Sequence, residues 1–264
     1  MMNEVIRSIR KSILTMMHYS KSSHIGACFS VVEILYTLYF DILNIDPNNP
    51  KKPYRDIFIL SKAHASAALY ATLAYRGLFP LEWLDRYYID DGILPGHLDM
   101  NAAPGIECSA GSLGHGLSIG LGMSIARTMR KELGRVYVLL GDGECNEGSV
   151  WEAIMLASTL KIKNLTAIVD YNHLQGMGRE VINQTNLSER FKAFGWNSVD
   201  VDGHDLDALK QVLSAISPES PSAIIAHTIK GKGVSFMEDR LEWHYKSPND
   251  EEFVAALTEL ERAQ

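Results

Sequence analysis

The sequence has few cysteines, no excess of basic over acidic residues and no long hydrophobic run. Its three cysteines, Cys28, Cys108 and Cys145, are odd in number and far apart, which argues against a disulfide framework or a four-ligand zinc site. Lys and Arg number 25 against 32 Asp and Glu, so a nucleic-acid partner, which needs a basic face, is not expected. No run of about eighteen apolar residues or secretory segment occurs. We therefore expect a cytoplasmic protein with no membrane partner.

The chain does contain enough apolar material for a large core. It has 264 residues, 46% of them hydrophobic, and without repeats or a linker we expect a single domain over 1–264. The first third is predicted to form helices separated by loops that carry histidines. Apolar residues recur at helical spacing over 5–17, and a further helix is expected over 65–76. Ser30 and Glu33 have the spacing of a capping box at the start of another helix.

Beyond Gly111 the pattern alternates between strands and helices. Short apolar segments rich in β-forming residues predict buried strands at 135–140, 165–170, 196–201 and 222–227. Helical patterns lie before, between and after them, at 118–130, 149–160, 206–216 and 250–262. Such alternation indicates an α/β fold with a mainly parallel sheet and helices on both faces.

One glycine-rich segment directly follows the first of these strands. It reads Gly-Asp-Gly-Glu-Cys-Asn-Glu-Gly over 141–148, at the carboxyl end of the predicted sheet, where ligands of open α/β folds bind. A dinucleotide-binding loop would need a third glycine in place of Asn146. Asp142 would also repel a phosphate unless a cation lay between them. No Gly-Lys-Ser/Thr follows, so the segment is not a P-loop.

A divalent cation accounts for the aspartate in this segment. Asp142 ends one predicted strand, and Asn172 ends the next about thirty residues later, which is the length of one strand–helix–strand unit. Such a unit brings both strand ends together. A carboxylate, an amide and a backbone carbonyl suit Mg²⁺, and phosphate oxygens would complete its roughly six ligands. The alternative is that Gly-Asp-Gly is only a turn and Asn172 only a cap.

The same pattern carries a family resemblance. Gly-Asp-Gly followed about thirty residues later by Asn is the signature of thiamine-diphosphate enzymes, and the strings GDGECNEGSVWEA and LTAIVDYN resemble the transketolase family. Six further strings occur in family order: SSHIGA, SKAHAS, LPGHLD, SAGSLGHGLSIGLG, HTIKGKGVSFMED and WH. The resemblance implies a thiamine-diphosphate-binding fold of the diphosphate-binding (PP) type. It also implies two cofactors, thiamine diphosphate and Mg²⁺, with Ca²⁺ or Mn²⁺ able to replace the latter.

The resemblance implies roles for individual residues around the cofactor. The Mg²⁺ ligands would be Asp142, Asn172 and the backbone carbonyl of Leu174. Gly143 and His64 would lie beside the diphosphate.

Other residues would contact the rest of the cofactor. Gly111 and Leu113 would approach its middle and its aminopyrimidine, where a glycine lets the backbone come close to a flat ring. Glu147 and Glu152 would belong to an acidic pair near the subunit contact, although Glu152 also suits the first turn of a helix. Three further glycines are expected to allow close helix packing: Gly116, Gly120 and Gly122.

Histidines and lysines complete the implied site. His24, His97 and His244 match the family's catalytic histidines, which with His64 surround the reactive thiazolium and exchange protons with sugar hydroxyls and carbonyls. His244 would also contact the cofactor. The other five histidines are expected to be structural or solvent-facing: His18, His115, His173, His204 and His227. Lys230 and Lys232 are expected either near a phosphate or in a solvated loop.

The chain departs from the family pattern in sequence and in length. Ser112 and Leu98 replace prolines of many full-length transketolases and His115 replaces a frequent glutamine, which puts substrate identity in doubt. Full-length members are more than twice as long, and their second domain supplies the glutamate that activates the aminopyrimidine. The resemblance therefore implies the N-terminal subunit of a split transketolase. Its partner would be a C-terminal subunit with a pyrimidine-binding domain, and the chain would form a homodimer alone or an α₂β₂ assembly.

The expected reaction is the transfer of a two-carbon ketol unit from a ketose, such as a sugar phosphate, to an aldose. One alternative is a split 2-oxo-acid decarboxylating subunit, which shares the metal motif but would not need the histidines. The other is a non-catalytic regulatory paralogue, which would have no chemical reason to keep the motif and the histidines together.

Overall fold

The computed structural model describes residues 2–179 and 181–262, and its centre is a sheet of five parallel strands. These strands are β1 Ile57–Leu60, β2 Val136–Gly141, β3 Leu165–Tyr171, β6 Asn197–Asp202 and β7 Ser222–His227. They are hydrogen-bonded in the order β1-β2-β3-β7-β6. Two short strands, β4 Leu174–Gln175 and β5 Gly178–Arg179, form a separate antiparallel hairpin. All four strands predicted from the sequence are present.

Helices precede, connect and follow the strands. The α-helices are α1 Met2–Ser20, α2 Ile25–Phe29, α3 Val32–Thr37, α4 Ser66–Tyr75, α5 His115–Arg130, α6 Gly148–Thr159, α7 Leu187–Ala193, α8 Leu206–Ser214 and α9 Asp250–Arg262. Shorter helical turns are a π-helical turn at Leu38–Ile42 and 3₁₀ turns at Ala63–Ala65, Leu81–Arg86, Gly143–Asn146 and Leu241–His244. Within the described residues, no helix is both long and apolar enough to cross a bilayer.

The helices cover both faces of the sheet. Alternate strand residues point to opposite faces, so Tyr137 and Leu139 of β2 enter one core while Val138 and Leu140 enter the other. The first core is closed by α1 to α4, α8 and α9, and the second by α5 to α7. The predicted fold class, a mainly parallel α/β sheet with helices on both faces, is confirmed.

Two predictions for the first third of the chain are wrong. Residues 57–60 form the edge strand β1, where only helices and loops were expected, because four apolar residues are too few to show a strand period. Ser30 and Glu33 do not form a capping box, and Val31 precedes α3 without a side-chain cap. The Ser30 hydroxyl instead donates to Asp170 Oδ2 at 2.7 Å.

The packing of α5 against the sheet shows that the three glycines predicted to allow close helix packing do not share that role. A Cβ on Gly120 would lie 2.6 Å from Val138 Cγ2, and one on Gly116 would lie 2.9 Å from Ser61 Cα. Both glycines therefore serve close packing, as predicted. A Cβ on Gly122 would meet nothing within 4 Å, so the packing role predicted for that glycine is wrong within this chain.

Candidate functional site

The carboxyl ends of β2 and β3 bring the two predicted metal ligands together. Gly141 pairs with Asp170 in the parallel register, and the next residues beyond this pair include Asp142 and Asn172. Asp142 is buried, and its carboxylate accepts hydrogen bonds from the amides of Gly143 at 2.6 Å and His173 at 2.7 Å. Burial, together with the nearby Asp170, raises the pKa of Asp142, although both amide bonds oppose the shift. A bound cation would relieve this destabilised negative charge.

The third predicted ligand, the carbonyl of Leu174, faces a buried lysine. Lys230 Nζ donates to Leu174 O and to His244 Nδ1, both at 2.8 Å. Burial, and then the positive charge of Lys62, lower the pKa of Lys230 to about 8. Lys230 therefore lies in the cavity wall beside a predicted metal ligand, and its expected place near a phosphate stays a prediction. Lys232 follows the other interpretation, because its side chain is partly exposed and lies 3.7 Å from Glu238.

The oxygen donors present here fit Mg²⁺. A carboxylate, the Asn172 amide oxygen and the Leu174 carbonyl retain unused lone pairs, and hard divalent cations prefer such oxygens. Within the described part of the chain, no three His, Cys, Asp or Glu residues are grouped as a metal site. That result does not conflict with the prediction, because the predicted set contains one carboxylate, one amide and one backbone carbonyl.

A buried ion pair that the sequence analysis did not single out supports these ligands. Lys62 Nζ forms a hydrogen-bonded ion pair with Asp170 Oδ2, and both side chains are almost fully buried. Lys62 and the hydroxyls of Thr228 and Ser30 hold the pKa of Asp170 below its usual value against the effect of burial. Asn172 Nδ2 donates to Asp170 Oδ2 at 3.1 Å, and Asn172 Oδ1 accepts from the backbone amide of Leu174 at 3.0 Å and keeps a second lone pair.

A second unpredicted carboxylate holds three segments together. Glu144 accepts hydrogen bonds from the Ser61 hydroxyl, from Gly114 N at 2.8 Å and from Gly141 N at 3.1 Å. It thereby links the ends of β1 and β2 to the turn that begins α5. Burial raises the pKa of Glu144, and the three donors oppose the shift. In the sequence, Glu144 looks like an ordinary polar turn residue, and no signal there identifies its partners.

A cavity of about 320 Å³ opens over the ends of β2 and β3. It is lined by eight of the residues predicted to bind cofactor or metal, namely His64, Leu113, Asp142, Gly143, Glu147, Asn172, Leu174 and His244. Four further lining residues were not assigned to the site from the sequence: Lys62, Glu144, Asn146 and Gln175. Lys230, which one of two interpretations placed near a phosphate, also lines the cavity. Most of the residues predicted to bind cofactor or metal therefore line one cavity, and their individual roles stay predictions.

Three of the four predicted histidines form a cluster beside this cavity. The ring centroids of His24 and His64 are 5.2 Å apart, those of His24 and His244 are 5.0 Å apart, and those of His64 and His244 are 5.9 Å apart. Burial is the largest cause of their lowered pKa values. It lowers the pKa of His24 to about 4 with help from His97, and that of His244 to about 3 with help from Lys230. The pKa of His64 is also well below its usual value. These imidazoles are therefore neutral at pH 7.

His97 and Gly111 lie outside the cavity. His97 is exposed, and a Cβ on Gly111 would lie 3.7 Å from His97 Cδ2, so the two residues adjoin each other. His97 is close enough for its charge to lower the pKa of His24. It therefore borders the histidine cluster from the solvent side. Glu152 is exposed on α6 and does not line the cavity, unlike Glu147.

Most of the remaining histidines have structural or surface positions, as expected. His18 stacks on Phe253 with ring centroids 4.4 Å apart, and His204 Nδ1 lies 3.0 Å from Glu33 Oε2. His115 is exposed at the start of α5, and His227 Nε2 lies 2.8 Å from Asp200.

Comparison with known proteins agrees with this geometry. A family model described as "Transketolase, thiamine diphosphate binding domain" matches residues 1–260. The chain is 40% identical over 255 residues to one subunit of the apulose-4-phosphate transketolase of Phocaeicola vulgatus, covering 95% of this chain and 90% of the relative. It is also 40% identical over 261 residues to a 6-deoxy-6-sulfo-D-fructose transketolase subunit of a Clostridium species, covering 96% and 94%.

Solved transketolases share the fold over nearly the whole chain. A transketolase of Pichia stipitis in complex with sedoheptulose 7-phosphate superposes with a TM-score of 0.92 at 26% identity, covering 98% of this chain and 40% of that one. The chain thus spans about two-fifths of the length of that protein. The chain belongs to the transketolase family, as an N-terminal, thiamine-diphosphate-binding subunit of these transferases.

Proposed function

We propose that this chain is the N-terminal subunit of a two-chain, Mg²⁺-dependent transketolase that moves a two-carbon ketol unit from a ketose to an aldose. The observation that carries the proposal is the cavity over β2 and β3, which joins a hard-cation donor set to a cluster of neutral histidines. A decarboxylating thiamine enzyme would not need the histidine cluster. A regulatory paralogue would not need the destabilised charge of Asp142.

The chain's own residues would perform two tasks at the cofactor. Asp142, Asn172 and the Leu174 carbonyl would hold Mg²⁺, and the metal would neutralise the diphosphate. His64, Gly143 and Lys230 would lie along that diphosphate. When bound, thiamine diphosphate supplies the carbon nucleophile of ketol transfer.

The histidines would bind the sugars and move protons. Neutral His24 can exchange a hydrogen bond or proton with a sugar hydroxyl, whereas His244 accepts from Lys230 at Nδ1 and so presents its Nε2–H as a donor to a sugar oxygen. His97 would act from the exposed side of the same cluster.

The substrates are proposed from the chemistry of the relatives. Two relatives are named for a sugar phosphate and for a sulfonated ketose, so ketoses with a terminal anionic group are the donors we propose. Sugar phosphates are the form to be tested first. We propose that the partner subunit supplies the activating glutamate and part of the sugar site.

The helices α5 and α6 offer a surface for pairing two copies of the chain. They pack against each other and leave apolar side chains exposed on the outside, including Ile119, Met155, Leu156 and, directly after α6, Leu160. We propose that two copies associate through this face, and that each then binds one C-terminal subunit to give α₂β₂.

A coupled ketol-transfer assay with a ketose phosphate donor tests the proposal. The chain alone should have no activity, and adding the C-terminal subunit should produce it. Asp142→Ala should lower the affinity for thiamine diphosphate at least tenfold, about 1.4 kcal/mol, in calorimetry with Mg²⁺ and the partner subunit present. The control Asp207→Ala, on the exposed side of α8, should leave this affinity unchanged. Turnover by the isolated chain, or unchanged affinity in Asp142→Ala, would contradict the proposal.

A further inference from the structure

A row of three side-chain amides leads from α7 to the wall of the cavity. Gln184 Nε2 donates to Asn146 Oδ1, and Asn146 Nδ2 donates to Gln175 Oε1 at 3.1 Å. At the far end, Arg190 Nη1 donates to Gln184 Oε1 at 3.0 Å. Gln184 and Gln175 are both buried, so the row lies inside the protein and not on its surface.

The arginine fixes the direction of every amide in this row. Arg190 has only donors, so the atom of Gln184 that faces it must be the oxygen. The nitrogen of Gln184 therefore faces Asn146, which in turn presents its nitrogen to Gln175. The amide of Val181 donates to the same Gln175 oxygen at 3.1 Å. Two donors thus hold the oxygen of Gln175, and its NH₂ group must point elsewhere.

That NH₂ group has no partner within the described residues. Gln175 Nε2 is buried and without a hydrogen-bond partner, although Gln175 is one of the residues that line the cavity. A buried donor without an acceptor destabilises the folded chain.

The neighbours of Gln175 are the residues expected to hold the diphosphate. A Cβ on Gly143 would lie 3.1 Å from Gln175 Cγ, so the glutamine packs directly against the glycine that follows Asp142. Leu174, whose carbonyl is a proposed metal ligand, is the adjacent residue in β4. An acceptor placed over Gly143 would therefore lie next to the unpaired donor.

We propose that Gln175 is a cofactor-binding residue that donates a hydrogen bond from Nε2 to an oxygen of the thiamine diphosphate, and that Arg190, Gln184 and Asn146 position its amide for that bond. This inference rests on the proposed function, because it assigns a new contact in the same site. It adds a direct binding role for Gln175 and a positioning role for Arg190, which does not line the cavity.

Two substitutions at residue 175 separate binding from folding. Gln175→Glu keeps an oxygen for Asn146 and Val181 but replaces the donor by a second oxygen, and Gln175→Met removes the donor at similar size. Gln211→Glu, on the exposed side of α8, adds the same charge as a matched control. Thiamine-diphosphate binding is measured by calorimetry at pH 8 with Mg²⁺ and the C-terminal subunit, and thiamine without phosphate is titrated in parallel.

We expect both variants at residue 175 to bind thiamine diphosphate at least tenfold more weakly than the unmodified chain, about 1.4 kcal/mol. Affinity for thiamine should not change, and Gln211→Glu should match the unmodified chain. Normal thiamine-diphosphate affinity in both variants, or an equal loss for thiamine, would overturn the inference while leaving the proposed function intact. Failure of the unmodified chain to bind the cofactor with its partner would overturn both.

Discussion

At the scale of single residues, the site depends on buried charges that neutralise one another. Lys62 lies within hydrogen-bonding distance of Asp170, and Lys230 bonds the carbonyl of Leu174 and the ring of His244. Removing one member of such a set leaves its partner buried and unpaired, which costs more than the pair itself contributes. Burial and the positive charges of these lysines together lower the pKa values of the nearby imidazoles.

The lowered pKa values of the histidines predict how the stability of the free chain depends on pH. An exposed histidine in the unfolded chain binds a proton near pH 6.5, whereas His24 binds one near pH 4 and His244 near pH 3. Between these values the unfolded state binds more protons than the folded state, so the free energy of unfolding falls as pH falls below about 6.5. Above about pH 6.5 these two groups cause no pH dependence.

Urea denaturation at several pH values between about 4.5 and 7.5 checks this dependence. In this range each of the two histidines takes up about one proton when the chain is unfolded. The double variant His24→Asn/His244→Asn should lose less stability on acidification than the unmodified chain. His115→Asn, at an exposed site, should keep the original slope. An equal slope in the double variant would show that these imidazoles do not resist protonation in the folded chain.

At the scale of elements, the approach of α5 to β2 sets the geometry of the loop that enters the site. Glu144 fixes the turn at Gly114, where φ is +82° and a side chain would be strained. At the start of the helix that follows, Gly116 packs against Ser61 at the end of β1. Helix, turn and strand ends therefore form one rigid unit next to the cavity.

Alanine substitutions at two glycines of α5 should have opposite effects. Gly120→Ala places a methyl group 2.6 Å from Val138 Cγ2, and such overpacking costs about 1 to 3 kcal/mol, more than the roughly 1 kcal/mol gained in helix propensity. Gly122→Ala meets no atom, so it should stabilise the isolated chain by up to about 1 kcal/mol. Urea denaturation of both variants measures the difference. Equal effects at the two positions would contradict the close approach of α5 to β2.

At the scale of the whole molecule, the cavity is open on one side and the chain exposes an apolar face. Met155 and Leu156 of α6 and Leu160, which follows this helix, are each nearly half exposed, and Ile119 of α5 is about one-third exposed. Water contact at several large apolar side chains is unfavourable, and the proposed pairing of two copies would remove it.

A charge placed on this face should separate the copies without unfolding them. Met155→Glu should shift the isolated chain from dimer towards monomer in sedimentation velocity, with little change in Tm, because residue 155 is already 45% exposed. Val254→Glu, on the exposed side of α9, is the matched control and should leave the dimer intact. A monomeric unmodified chain, or a dimer that survives Met155→Glu, would argue against pairing through α5 and α6.

The sequence by itself determined the alternation of strands and helices and the local metal motif. Apolar periodicity depends on neighbours in the chain, so strands such as β2 and β3 were predictable, and with them the meeting of Asp142 and Asn172. Tertiary structure alone decided which other polar groups join them. Lys62 and Asp170 are 108 residues apart, Ser61 and Glu144 are 83 apart, and no spacing in the sequence marks such pairs. The orientation of Gln175 likewise depends on Arg190 and Gln184, because an amide takes its direction from its hydrogen-bond partners and not from its place in the chain.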